Sequence, residues 1–203
     1  TVANLLMGPS ERLRALLAGD EQAMELDEAA LELATLHLGS VDPAPVLRQL
    51  DDWASQIDRL LTPGAGGAPY LSAAERVLFQ EAGLQGDSED YYAIENSCLP
   101  LVLERRRGMP LTLAVIYLEV ARRLARPVFG VALPAHFVCQ YNDGLVRVFV
   151  DVFNSGRLLT EEDCLEKIEE LMSQPIELES LPFEPCDKRT MVARMLRNFY
   201  GSY

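Results

Sequence analysis

The sequence predicts an α+β protein, and three observations carry that reading. The first third repeats apolar residues at helical spacing, an almost wholly apolar helix follows near the middle, and β-rich runs with a tight turn come after it. With 203 residues, 49% hydrophobic and 24% charged, the chain has enough apolar surface to bury a core and the composition of a globular protein.

The elements follow in order. Ser10 is expected to cap a short helix over residues 11–18, and Asp20 precedes a second that contains DEAALELATLHL. Asp42 with Pro43 opens a third, in which Val46, Leu50, Trp53, Ile57, Leu60 and Leu61 share a face, so Trp53 is a core anchor. TPGAGGAP, residues 62–69, is loop by composition. Ser72 then caps AAERVLFQEAG with Glu75 as capping-box partner, and Gly83 ends that helix.

Residues 84–97, LQGDSEDYYAIENS, have no period and are read as a long loop lying on the domain, before a short helix in LPLVLERRR. From Pro110 to Ala125 the pattern is a helix enclosed on most sides, with Thr112, Glu119, Arg122, Arg123 and Arg126 mainly along one stripe. VFGVAL, HFVCQY and LVRVFVDVF then read as three strands. Asn142-Asp143-Gly144 turns the second into the third. Thr160 with Asp163 starts a helix through Met172, and after a Pro-containing linker Asp187 caps a last helix with Met191, Met195 and Leu196 on its apolar face. No internal repeat is visible. The division expected is a helical subdomain over 1–83, a core over 84–175, and a linker with helix over 176–203.

Charge and cysteine usage restrict the function. A formal net charge of −13 repels nucleic-acid phosphates and anionic lipid, and the only basic clusters are Arg105–Arg107 and Arg122, Arg123 and Arg126. Neither nucleic acid nor membrane is therefore expected as a partner. Cys98, Cys139, Cys164 and Cys186 form no CxxC pair, no histidine stands at zinc-ligand spacing, and no secretory or membrane-spanning run is present. The expectation is a cytoplasmic protein with reduced thiols, no metal and no cofactor.

Several motifs together resemble one family. Asn96-Ser97, VLERRRGMPLTLA from Val102 to Ala114, LPAHF from Leu133 to Phe137, and DVFNSGRLL from Asp151 to Leu159 are similar to the SirB-type transglutaminase-like pattern, over roughly residues 90–165. The resemblance implies a papain-like transglutaminase core, a buried central helix packed on a small antiparallel sheet. In bacterial relatives, helical repeats that bind partners often follow. The helix after Asp187 is then expected either to begin such a region or to end a member that lacks it.

In the wider architecture a cysteine at the N-terminus of the central helix, a histidine on the next strand and an aspartate on the one after form a triad. The helix end lowers the thiol pKa, the imidazole takes the proton, and the carboxylate fixes the tautomer. The resemblance places Pro110 at the nucleophile position and His136 and Asp151 at the other two. Thr112 is a poor substitute, because two residues turn about 200° around a helix. Cys139 falls three residues beyond His136, so strand alternation sends it to the opposite face. Cys98 stays open on sequence grounds.

Asn96, Asn154 and Arg107 complete the candidate groove. Asn154 and Gly156 have a competing role in shaping the turn after the third strand. The arginine triplet has one in surface ion pairs with the acid-rich helices. His37, among leucines, reads as structural. The favoured reading is a non-catalytic protein-interaction or regulatory module with a protein or peptide partner. The alternative is a hydrolase or acyltransferase in which His136 and Asp151 activate water or another thiol.

Overall fold

A computed structural model describes residues 11–201, so the Ser10 cap lies outside the described residues. The chain forms α1 (Glu11–Ala18), α2 (Leu26–Leu38), α3 (Pro43–Leu60), α4 (Gly67–Ala74) and α5 (Leu99–Arg105) before the central helix α6 (Pro110–Arg123). Strands β3 (Val128–Val131), β4 (Val138–Asn142), β5 (Arg147–Asp151) and β6 (Arg157–Leu159) follow, then α7 (Glu161–Met172) and α8 (Lys188–Gly201). Two-residue strands β1 (Gln85–Gly86) and β2 (Arg107–Gly108) pair in parallel just before α6. This is the α+β arrangement that the sequence predicts, with one antiparallel sheet in the order β3-β4-β5-β6.

Alternation along the strands builds two cores. Phe137, Cys139, Tyr141, Val150 and Val152 join the cluster that contains α6, the N-terminal helices and the inner face of α8. Val131, Val138, Phe149 and Leu159 face the other way, onto Cys164 and Ile168 of α7 and onto Leu181 and Phe183 of the linker. The sheet is thus covered on both faces, and α6 is enclosed, with every residue from Pro110 to Ala121 buried.

Local chemistry sets several boundaries as expected. Asp42 accepts from the Ala44 N–H ahead of Pro43. Thr160 and Asp163 form a reciprocal capping box on α7, and the Asp187 carboxylate accepts from the Thr190 N–H. In the hairpin, Asp143 Oδ1 accepts from the N–H groups of Leu145 and Val146 while Gly144 takes a positive φ of 85°.

Other expectations are corrected. Helix α4 begins at Gly67, inside the Gly-rich stretch read as loop, and Ser72 lies within it instead of capping it. Tyr70, Ala73 and Ala74 are buried there, so tertiary packing overrides the loop composition. The helix then widens into a π-helical stretch, Glu75–Glu81, whose side-chain pairs Arg76–Glu81 and Gln80–Glu75 are five residues apart as that spacing requires. The segment 84–97 is not all loop, since it carries β1 and a 3₁₀ turn, Ile94–Ser97. A fourth strand, β6, escaped the sequence because three residues carry no period. Asp20 caps only a turn, through the Gln22 N–H. The N-terminus of α2 is held instead by Glu119, whose Oε1 accepts from the Leu26 N–H at 3.0 Å.

Candidate functional site

His136 does not lie on a strand as expected; it sits in the Leu133–His136 turn, two residues before β4, with Ala135 in the left-handed region at φ 55°. Cys139 pairs with Val150 across β4 and β5, and extending that register by one sets Val138 opposite Asp151 at the end of β5. His136, just beyond, therefore reaches the carboxylate: its Nε2 is 3.0 Å from Asp151 Oδ1.

Asp151 is saturated. Oδ1 also accepts from the Phe153 and Asn154 N–H groups, and Oδ2 accepts from Asn154 Nδ2 at 2.6 Å. Burial, the largest single influence, would raise this carboxyl. The hydrogen bond and charge of His136, with the Asn154 contacts, overcome it and hold the group below its ordinary value. An ionised acceptor calls for a donor, so Nε2 presents an N–H to Asp151.

Phe153 braces the ring edge-on, 6.3 Å between centroids. Gly86 supports Phe153 in turn: a Cβ there would meet the Phe153 ring at 2.3 Å, while the Gly86 N–H donates to the Phe153 carbonyl. The β1–β2 pair thus connects the start of α6 to the histidine's neighbour.

A cleft of about 520 Å³ contains Met109 and Pro110 from the start of α6 together with His136. Pro110 is the first residue of the helix, where its missing N–H is not needed. No cysteine, serine or threonine lines this cleft among the described residues. Cys98 and Cys139 are fully buried outside that lining, the first with its thiol pushed up to about 11 by burial, the second also raised, with Sγ 4.0 Å from the Ala114 carbonyl. Neither has the low-pKa, accessible environment of a reactive thiol.

The other sequence candidates separate. Asn154 is at the pair, on the Asp151 side. Asn96 is wholly buried beneath the cleft, not in its lining. Its Nδ2 donates to the Asp90 carbonyl, its Oδ1 accepts from Arg105, and its own carbonyl accepts from the Met109 N–H, so it fixes the approach to α6. Arg107 likewise lies outside the lining and pairs with Glu89 at 3.2 Å. Of the arginine triplet, Arg105 and Arg107 pair with acids of the 84–97 segment, Asp87 and Glu89, while Arg106 packs on α3 over the Trp53 ring at 4.8 Å without an acidic partner among the described residues. Sequence reasoning missed Lys167, Arg194 and Leu171, which line the cleft from α7 and α8. Only the fold brings these helices to α6. The tyrosine pair Tyr91-Tyr92 was visible but had no assigned place.

With this geometry in view, comparison with known proteins is informative. The profile described as transglutaminase-like superfamily matches residues 44–197. A UPF0162 protein of Xylella fastidiosa is 38% identical over 138 residues, 66% of this chain and 48% of that protein. A UPF0162 protein of Pseudomonas aeruginosa is 32% identical over 95% of this chain and 69% of its own length. F-box only protein 21 of Mus musculus is 34% identical over 46% of this chain and only 16% of that protein. The chain spans about half the length of the Xylella relatives it matches. No solved structure matches it. Sequence motifs, fold and family profile agree, and the chain belongs to the transglutaminase-like superfamily, with UPF0162 proteins as its relatives.

Proposed function

We propose that this domain is a non-catalytic protein-interaction or regulatory module, whose cleft over α6 holds a peptide segment of a partner protein. The observation that carries the reading is Pro110 at the helix start, in a cleft that contains His136 but no thiol or aliphatic hydroxyl among its described lining residues. A superfamily built for attack by a thiolate at this position has here a residue without a nucleophilic side chain. The similarity to F-box only protein 21, confined to a small part of that chain, supports use of the domain as a module within longer proteins.

Within the superfamily we assign the chain to the SirB-type branch, on the quoted motifs, with helical repeats in the further length of such proteins. We place it in a reducing cytoplasm, a reading that four unpaired cysteines support.

A second reading is favoured by one observation, the His136–Asp151 pair at 3.0 Å, which is competent to activate water on an amide or acyl bond. Release of p-nitroaniline and p-nitrophenol from peptide anilide and acyl ester probes separates the two. The module reading expects the wild-type protein and His136→Ala to give the same background rate. A His136-dependent rate of roughly 100-fold over background, the scale of general-base catalysis, would establish the hydrolase instead.

A further inference from the structure

We propose that the ligand of this cleft is a carboxylate-bearing peptide, gripped by Arg194 and Lys167 and flanked by Tyr92 and Leu171; the proposal rests on the reading of the cleft as a peptide-holding groove. The first argument is charge. In a chain of net charge −13, the cleft lining carries the cations Lys167 and Arg194 and, among the described residues, no acidic side chain. Asp151, behind His136, is 2% exposed and already bonded through both oxygens. The two cations on the lining thus stand against the negative balance of the whole molecule, and favour an anion on this surface.

The second argument is the state of the two cations. Arg194 is half-buried, and no carboxylate among the described residues lies within ion-pair distance of it. Its contacts are a long 3.4 Å bond to the His136 carbonyl and the face of Phe137 at 5.5 Å. Arg123, by contrast, holds three carboxylates. Lys167 has Glu170 at 3.8 Å, with that glutamate side chain 76% exposed, so its ammonium is available at little cost. A guanidinium offers a planar fork that a carboxylate matches with two parallel hydrogen bonds. The uncapped N-terminus of the 14-residue α6, at Met109 and Pro110 in the same cleft, adds field of the same sign.

The third argument concerns what accompanies the charge. Tyr92 is 72% exposed and Leu171 47% exposed on the cleft rim, which is apolar surface at hand for a neighbouring side chain. A volume of about 520 Å³ takes a few residues of chain rather than a lone inorganic anion. The carboxylate has two sources, a peptide C-terminus or an acidic side chain.

Calorimetric titration of the 203-residue chain with three acetylated peptides tests the assignment: Ala-Leu-Ala with a free C-terminus, Ala-Glu-Leu amide, and the uncharged Ala-Gln-Leu amide. Binding of either charged peptide at least ten-fold tighter than the uncharged one, weakening as salt rises, is the expected result, and whichever charged peptide binds tighter identifies the source. Arg194→Gln and Lys167→Gln should each reduce that affinity about ten-fold, with unchanged thermal unfolding showing that both variants remain folded. Equal affinity for all three peptides, or insensitivity to both substitutions, overturns the carboxylate assignment while leaving the groove reading intact. Absence of any binding, or phosphate binding as tightly as the peptides, overturns the peptide assignment. Cleavage of a bound peptide would refute the non-catalytic reading alone.

Discussion

At the scale of single residues, Asp151 links structure to site. It closes the turn after β5 by accepting from the Phe153 and Asn154 N–H groups, and it orients His136 with the same oxygen. Its carboxyl is held below its ordinary value of 3.8, so between the two values the folded state binds fewer protons than the unfolded chain. The resulting stabilisation is complete above the ordinary value and disappears as pH falls through the folded one. Asp151→Asn should cost about 1–3 kcal/mol at neutral pH in urea unfolding, because one amide cannot accept every bond the carboxylate accepts. The loss of stability as pH falls below about 4 should also be shallower in the variant, and an unchanged acid limb would remove Asp151 as its source.

At the scale of elements, the N-terminus of α6 is held rigidly and begins with a proline. Asn96 fixes the Met109 backbone, Gly108 packs where a Cβ would meet Val102 at 2.8 Å, and the positive end of the helix has no side-chain cap. Pro110→Cys should therefore place a thiol where the helix field and His136 both favour the thiolate. Its alkylation by iodoacetamide at pH 7 should outpace that of the four native cysteines by about ten-fold or more, and His136→Ala in the same background should remove much of the advantage. Reaction no faster than that of the half-buried Cys186 would mean that the helix end does not activate a thiol. Short-range signals made this element legible: Gly108, Pro110 and an apolar run. Likewise, the Thr160–Asp163 box and the Asn142-Asp143-Gly144 turn marked their boundaries. The start of α4 was not legible, because only burial of Tyr70, Ala73 and Ala74 makes a helix of a Gly-rich segment. Nor were Arg194 and Lys167, which are ordinary polar-face residues of two helices until the fold brings those helices together at the cleft.

At the scale of the whole molecule, the polar stripe of α6 explains how the N-terminal helices stay on the core. Arg123 reaches Asp27 of α2 at 2.9 Å, Asp51 of α3 at 2.6 Å and Glu119 of its own helix at 3.1 Å, while Glu119 caps α2 through Leu26. Asp27 and Glu119 are 0% and 1% exposed, so this guanidinium answers two buried carboxylates from two helices, and the exposed Asp51 from a third. Burial first, and then the charge of Asp27, push the Glu119 carboxyl up despite Arg122 and the Leu26 N–H. Arg123→Met keeps the apolar stem and removes the charge, leaving buried Asp27 with only the long Arg122 ion pair at 3.9 Å and Glu119 with the Arg122 cation alone among the described residues, and should cost about 3 kcal/mol. The cost should depend on pH. A raised folded value means that the folded state binds more protons than the unfolded chain, so stability is greatest below the ordinary value of 4.5 and declines as pH rises through the folded value. Urea midpoints of Arg123→Met should thus fall further behind wild type at pH 8 than at pH 5. Adding Asp27→Asn and Glu119→Gln should narrow the gap at pH 8, because no buried charge then lacks a partner. A deficit that is the same at both pH values would show that Arg123 holds the helices by packing and not by charge.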